Sequence, residues 1–122
     1  MAENYWFIYD ISVVKADDHD IVLTFKDAAG AAVDITAWSN ETYKAEAIDS
    51  DNTDTIEVAA AAITKSDSGT GTTDTFTIPL SSTDTGITLG KYKHSFIVTV
   101  SSKDRTTFKG TINIVENIAE VP

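Results

Sequence analysis

Two neighbouring segments near the C-terminal end of the sequence alternate apolar and polar side chains along their whole length. They lie at residues 91–101 and 105–115, and only the polar stretch Ser102-Lys103-Asp104 separates them. A period of two is the period of a β-strand with one buried face. The sequence therefore predicts a long antiparallel hairpin. Gly110 stands where the second segment should have its next inward side chain, which indicates a bulge or the close approach of a neighbour.

The rest of the sequence repeats shorter signals of the same kind. Runs rich in β-branched and aromatic residues are separated by polar turns, and one helical turn is predicted at residues 82–85. Together with the hairpin they make about seven strands, which predicts an antiparallel β-sandwich. Tyr92 fits this class, because sandwich domains bond a tyrosine at the start of a late strand back to the preceding corner, and an ordinary half-buried strand tyrosine is the alternative. The shorter runs lie at residues 5–14, 21–26, 33–36, 43–48 and 75–80.

Residues 55–65 can be interpreted in two ways. Four consecutive alanines favour a helix, for which Asp54 and Glu57 could form a capping box. The β-branched residues Ile56, Val58 and Ile63 favour a strand, as do the segments on either side. We favour the strand and keep the helix as the alternative.

The length of the chain sets the number of domains. A sequence of 122 residues, 42% of them hydrophobic, has enough apolar surface for one core. We expect a single domain over residues 1–122, with a core at roughly 5–116 and a C-terminal tail at 117–122. The longest apolar runs are far shorter than a membrane span, and the first residues lack the basic start of a signal peptide. The sequence therefore predicts no membrane segment and synthesis in the cytoplasm.

Charge and composition narrow the chemistry. A net charge of −10 argues against a nucleic-acid partner, and the absence of cysteine excludes disulfides and thiolate sites. The acidic stretch at residues 49–54 lacks the glycine and the distal glutamate of a calcium-binding EF-hand, since Asp54 and Ala60 take those places. No nucleophile elbow or phosphate loop is present in the sequence. We therefore expect no enzyme, no cofactor and no metal site, with a weak calcium site in the acidic loops as the alternative.

Four aromatic residues are the candidates for binding a partner. Tyr5, Trp6 and Phe7 form an apolar run near the N-terminus, which could pack on a neighbour or add a strand to it. Trp38 lies at a loop, where an exposed aromatic ring could also stack on a sugar. These residues define the candidate partner-binding site and raise glycan binding as an alternative function.

A set of short motifs is spread over roughly residues 8–118. Each motif combines a turn with the beginning or end of a strand. The motifs are Asp17 in a polar turn, Lys26-Asp27 with Gly30 in a hairpin, Asp34-Ile35-Thr36 before Trp38, Phe76-Thr77-Ile78-Pro79-Leu80-Ser81, Leu89-Gly90-Lys91-Tyr92, and residues 105–114 with Gly110.

These motifs resemble the small immunoglobulin-like virion modules of tailed bacteriophages, which include N-terminal domains of baseplate upper proteins and short tail- or head-fibre-associated proteins. The resemblance implies an immunoglobulin-like sandwich of about seven strands and a role in assembly rather than a reaction. It departs at Ala16 and Ala37, where the family has glycine, and both departures imply a different local backbone.

The function that the resemblance implies is that of a non-enzymatic virion structural protein of the tail, baseplate or fibre. The alternatives are a carbohydrate-binding module for host recognition and a capsid decoration protein. Its partners would be other virion proteins, and the cyclic symmetry of virions leads us to expect a homo-oligomer. The expected location is the virion, after synthesis in the cytoplasm of the bacterial host, and the absence of cysteine fits that reducing compartment.

Overall fold

The computed structural model describes residues 7–116 and shows an all-β chain. Tyr5, Trp6 and the tail predicted at 117–122 lie outside the described residues. A 3-10 turn at Ala60–Ala62 and a one-turn helix α1 interrupt the strands, and the helix lies where the sequence predicts a helical turn. The elements are β1 Phe7–Ile8, β2 Ile11–Val14, β3 His19–Thr24, β4 Ser39–Ala47, β5 Thr55–Val58, β6 Thr64–Asp67, β7 Thr73–Leu80, α1 Ser82–Thr85, β8 Gly90–Val100 and β9 Lys103–Val115.

The strands form two sheets that enclose one core, so the predicted all-β sandwich is confirmed, with nine strands within residues 7–116 rather than about seven. The larger sheet has the order β1-β9-β8-β4-β5, with β2 also on β9, and the smaller sheet has the order β3-β7-β6. In the lettering used for immunoglobulin domains, β3, β7 and β6 take the places of B, E and D. The strands β9, β8, β4 and β5 take the places of G, F, C and C′.

The N-terminal strands differ from the prediction of a purely antiparallel sandwich. Both β1 and β2 pair with β9 in parallel, with Phe7 opposite Phe108 and Ile11 opposite Ile112. The single run predicted at residues 5–14 is divided at Tyr9 and Asp10, where the backbone leans over Gly110. The sequence pattern could not give the direction of this pairing, because a strand alternates in the same way beside a parallel or an antiparallel neighbour.

The long hairpin predicted from the alternation is confirmed. Strands β8 and β9 pair in antiparallel register with Tyr92 opposite Ile112. The turn lies at Ser101 and Ser102, slightly earlier than predicted, and both residues have positive φ, at 52° and 66°. Positive φ at both central residues is the geometry of a type I′ turn, whose twist matches that of the flanking strands.

Residues 55–65 belong to strands at both ends. Their middle is neither the strand nor the α-helix that the sequence allows. Ile56 and Val58 of β5 are buried in the larger sheet, and residues 64–67 continue as β6 in the smaller sheet. The exposed alanines 60–62 form the 3-10 turn by which the chain crosses from one sheet to the other. The β-branched residues thus set the strands, and the alanines set the crossing.

The core is lined by the inward side chains of both sheets. Its largest fully buried members are aromatic, and they come mainly from β4, β8, β9 and β7. No helix within residues 7–116 has the length and hydropathy that a membrane-spanning segment needs. The largest fully buried aromatic side chains are those of Tyr43, Tyr92, Phe76, Phe96 and Phe108.

Candidate functional site

The outer face of the larger sheet carries a shallow depression bordered by lysines. Strand register places Lys44 of β4 and Lys109 of β9 on either side of Ser95 of β8. The next row holds Lys93 beside Glu46. Since neighbouring strands lie about 4.8 Å apart, the backbones that carry Lys44 and Lys109 are about 10 Å apart. We call this open space of about 360 Å³, lined by Lys44, Glu46, Lys93, Ser95 and Lys109, the lysine depression.

The charge of this depression is opposite to that of the molecule. Three ammonium groups border it against one carboxylate, in a chain whose net charge is −10. Lys44 also contacts Glu57 of β5 at 3.6 Å, with both side chains more than half exposed. Exposed ion pairs of this kind contribute little to stability. The lysines therefore stay available for contact with another molecule.

A second depression continues along the same face toward the β8–β9 turn. It has a volume of about 440 Å³ and shares Lys44 and Ser95 with the first. Asn40 borders it with a positive φ of 53°, at the point where the pairing of β4 with β8 slips. The Asn40 side-chain amide donates to Thr99 Oγ1 at 3.2 Å, and Thr99 donates to Asp104 at 3.0 Å. The face is thus concave and polar over much of its length.

At one end of the sandwich, three loops rich in aspartate are bonded to one another. The loop after β2 meets helix α1, where the backbone N–H of Ser82 donates to Asp18 Oδ1 at 2.7 Å. The loop after β4 meets the segment before β8, where Thr88 donates to Asp54 Oδ2 from its N–H at 2.9 Å and from its hydroxyl at 2.6 Å. We call this region the acidic end; its aspartates are Asp17, Asp18, Asp49, Asp51, Asp54 and Asp84.

The loop at residues 49–54 is held in one conformation by its own side chains. Asp49 Oδ1 accepts from the N–H of Asp51 at 2.9 Å, and Asn52 Oδ1 accepts from the N–H of Asp54 at 2.9 Å. The hydrogen bonds from Thr88 lower the pKa of Asp54 below its usual range, so this carboxylate stays ionised at neutral pH. Asp49 and Asp51 remain exposed. The loop is therefore acidic and held in place by its own hydrogen bonds.

The tyrosine corner predicted at Tyr92 is present and anchors this loop. The hydroxyl of Tyr92 donates to the carbonyl oxygen of Thr88 at 2.7 Å. The same hydroxyl accepts a hydrogen bond from the side-chain amide of Asn52 at 2.9 Å. One side chain from β8 thus ties the corner before β8 to the acidic loop after β4.

His94 is the one buried histidine among the described residues, and it lies behind the lysine depression. Its Nε2 lies 2.6 Å from the carbonyl oxygen of Tyr9, which can only accept, so Nε2 is the donor. The Nδ1 of the neutral ring then accepts from the Tyr43 hydroxyl at 2.8 Å. Burial lowers the pKa of His94, although the bond to Tyr9 and the charge of Asp10 act in the opposite direction. His94 is thus a neutral structural residue of the sheet.

The candidate partner residues Phe7 and Trp38 do not come together. Phe7 is 36% exposed at the edge of the larger sheet and packs on Phe108 with ring centroids 5.8 Å apart. Trp38 is only 6% exposed and packs against Phe25 and Phe76 in the core. The expectation of an exposed ring at Trp38 is therefore corrected. Although the residue lies in a loop, its ring packs into the core.

The lysine depression was missed at the level of sequence. The lysines of β8 at 91 and 93 lie on the polar side of the alternating pattern, which was the available signal. Lys44 and Lys109 join Lys93 only through the register of three strands that are distant in sequence. Within residues 7–116, no group of three or more histidine, aspartate or glutamate side chains is arranged to hold a metal ion.

Comparison with known proteins leaves the family open. No protein-family model matches the chain, and no curated protein matches it. The fold and the surfaces of the two sheets and loops therefore carry what can be proposed about function.

Proposed function

We propose that this domain is a non-enzymatic structural module of a tailed bacteriophage virion, in the tail, baseplate or fibre. The observation that carries the proposal is the pair of ordered surfaces of opposite charge, the lysine depression and the acidic end. Surfaces held by strands and by bonded loops suit binding to other proteins, because little freedom is lost on contact.

The residues that carry the resemblance to the phage modules have definite structural roles, which supports the proposal. Asp34 accepts from the N–H of Thr36 at 2.9 Å and from its hydroxyl at 2.6 Å. Asp27 accepts from the N–H groups of Ala29 and Ala31. A sequence that keeps its motif residues for turns and corners leaves its exposed faces for contact with partners.

Ala16 has a φ of 65°, in the left-handed region that favours glycine. The resemblance implies glycine at this position, so the observed backbone supports the resemblance there. Ala37 is not among the described residues with positive φ, so it gives the resemblance no such support.

The proposal is tested on purified virions of the phage whose genome carries this gene. Quantitative mass spectrometry should find the chain in intact, nuclease-treated particles at a fixed copy number relative to the major capsid protein. A replication enzyme of the same phage serves as the matched control that purification must remove. Recovery of the chain only in the soluble fraction of the lysate would overturn the proposal.

Labelling of the particles distinguishes the positions within the virion. Antibody against the purified domain, viewed by electron microscopy, should mark the tail, baseplate or fibre. Labelling of the head surface would instead support the alternative of a capsid decoration protein. The glycan-binding alternative has lost one of its candidates, because Trp38 is buried.

A further inference from the structure

We propose that the acidic loop at residues 49–54 of one copy binds the lysine depression of a second copy. The two surfaces differ in place and in charge, so the contact joins unlike patches of identical chains. Contacts of that type close into a ring or continue as a filament, according to the rotation between copies. The inference does not depend on the virion proposal, because self-association is measured on the purified protein and presence in particles is measured separately.

Charge complementarity is the first argument. The loop presents the exposed carboxylates of Asp49 and Asp51, and the depression presents the ammonium groups of Lys44, Lys93 and Lys109. The net charge of −10 makes two copies repel at long range. At physiological salt that repulsion is screened beyond about 8 Å, so local pairs of opposite charge decide how two copies meet.

Shape and order are the second argument. The loop joins β4 to β5 at the end of their hairpin, and the depression is an open concavity of about 360 Å³ on the sheet face. The loop is already fixed by Asn52, whose amide reaches Tyr92, and by Asp54, which is bonded to Thr88. A loop that is ordered before binding loses less conformational entropy on contact.

The depression is tested by reversing two of its charges. Lys93→Glu with Lys109→Glu should weaken self-association about tenfold or more, which corresponds to about 1.4 kcal/mol. The matched control is Lys103→Glu with Arg105→Glu, near the β8–β9 turn, which gives the same net charge and leaves the depression unchanged. All four side chains are exposed, so both variants should retain the circular dichroism of the wild type.

The measurement is sedimentation velocity of the purified full chain over a concentration series. The wild type should associate at about 0.1 M salt and dissociate at about 1 M, where the Debye length falls to about 3 Å. A wild type that stays monomeric at every concentration overturns the proposal. Equal weakening by the two double variants overturns it as well, because repulsion between whole molecules would then be the cause.

A complementary pair of variants identifies the loop as the partner. Ser50→Lys, Asp51→Lys and Thr53→Lys together reverse the exposed charge of the loop and keep Asp49, Asn52 and Asp54 for its internal bonds. This triple variant, like the Lys93→Glu, Lys109→Glu variant, should self-associate about tenfold or more weakly than the wild type. A mixture of the two should form alternating complexes, since each then offers the charge that the other lacks. Failure of the mixture to associate overturns the assignment of the loop.

Discussion

At the scale of single residues, Ala16 shows a conformation that its side chain disfavours. A left-handed backbone costs a non-glycine residue about 1 to 2 kcal/mol, and Ala16 adopts it at φ 65° between β2 and β3. Two hydrogen bonds hold this turn. The N–H of Asp17 donates to the carbonyl oxygen of Val14, and the Thr85 hydroxyl donates to the carbonyl oxygen of Asp17.

Ala16→Gly is therefore expected to raise the free energy of unfolding by about 0.5 to 1 kcal/mol. The relief of strain exceeds the added entropy of glycine in the unfolded chain. Chemical denaturation measures the change. Ala37→Gly is the matched control, since Ala37 is not among the described residues with positive φ, and it should leave stability unchanged or lower it. A decrease in stability for Ala16→Gly would contradict this account of the turn.

His94 makes stability depend on pH. Because burial lowers its pKa in the folded chain, the unfolded chain binds the proton more readily. The free energy of unfolding is then fully maintained above the ordinary pKa of 6.5. It falls as the pH drops below that value toward the lowered pKa of the folded state, by at most about 1.4 kcal/mol per pH unit.

Denaturation midpoints measured between about pH 8 and pH 5 should show this decline, and His94→Gln should remove it. Hydrogen bonds lower the pKa of Asp34, Asp54 and Asp67, whose contributions are lost only as the pH falls through values below 3.8. The loss of these contributions therefore lies below the pH range in which His94 changes the stability. His19→Gln is the matched control and should keep the decline. If His94→Gln retained the full decline, His94 would not be the group that makes stability depend on pH.

At the scale of elements, the N-terminal strands depend on the absence of a side chain at Gly110. A Cβ at this position would lie 2.1 Å from the carbonyl oxygen of Tyr9, which is the oxygen that accepts from His94. Asp10 follows and accepts from the N–H of Thr111 at 2.8 Å, so its side chain completes the pairing where the backbone leans inward. The close approach of a neighbour predicted at Gly110 is therefore confirmed, and the neighbour is the backbone of Tyr9.

Gly110→Ala is expected to displace Tyr9 and lower the free energy of unfolding by about 1 to 3 kcal/mol. Hydrogen exchange should show where the change occurs, with faster exchange of the amides of Tyr9 and Lys15, which bond to β9. Ser95→Ala, on the outer face of β8, should leave these amides protected. Unchanged exchange in Gly110→Ala would show that the strand tolerates the added carbon.

Sequence patterns predicted elements better than the relations between elements. The period of two in β8 and β9 predicted the hairpin, and Tyr92 predicted the corner. Each of these signals is local, because the residues that form the hairpin turn or the corner are close in sequence. The lysine depression needed Lys44, Lys93 and Lys109 to meet across three strands, and register between distant segments has no local signal. Trp38 was misplaced for a similar reason, since the ring reaches Phe25 and Phe76 from a loop.

At the scale of the whole molecule, the distribution of charge matters more than its sum. Aspartates gather in the loops of the acidic end, and lysines lie on the outer face of the larger sheet. A domain with this polarity approaches a partner in a preferred orientation, because opposite charges steer the encounter. The net charge of −10 is thus the sum of two unlike surfaces, and it describes neither of them.

The parallel pairing of β2 with β9 also determines how the domain carries mechanical load. The first and last described strands run side by side in the same direction, so a pull on the two ends of the chain acts along them in opposite senses. Their inter-strand hydrogen bonds are then loaded together in shear. Across the open end of the β8–β9 hairpin, where Lys91 faces Asn113, a pull would separate the bonds one after another.

Single-molecule stretching compares these two directions of force. The chain has no cysteine of its own, so handles can be attached through cysteines introduced at the two termini or at positions 91 and 113. The terminal pair is expected to unfold at clearly higher force, and equal forces would count against shear loading of β2 and β9. A fold joined in this way is expected to resist force best along the line through the ends of its first and last described strands.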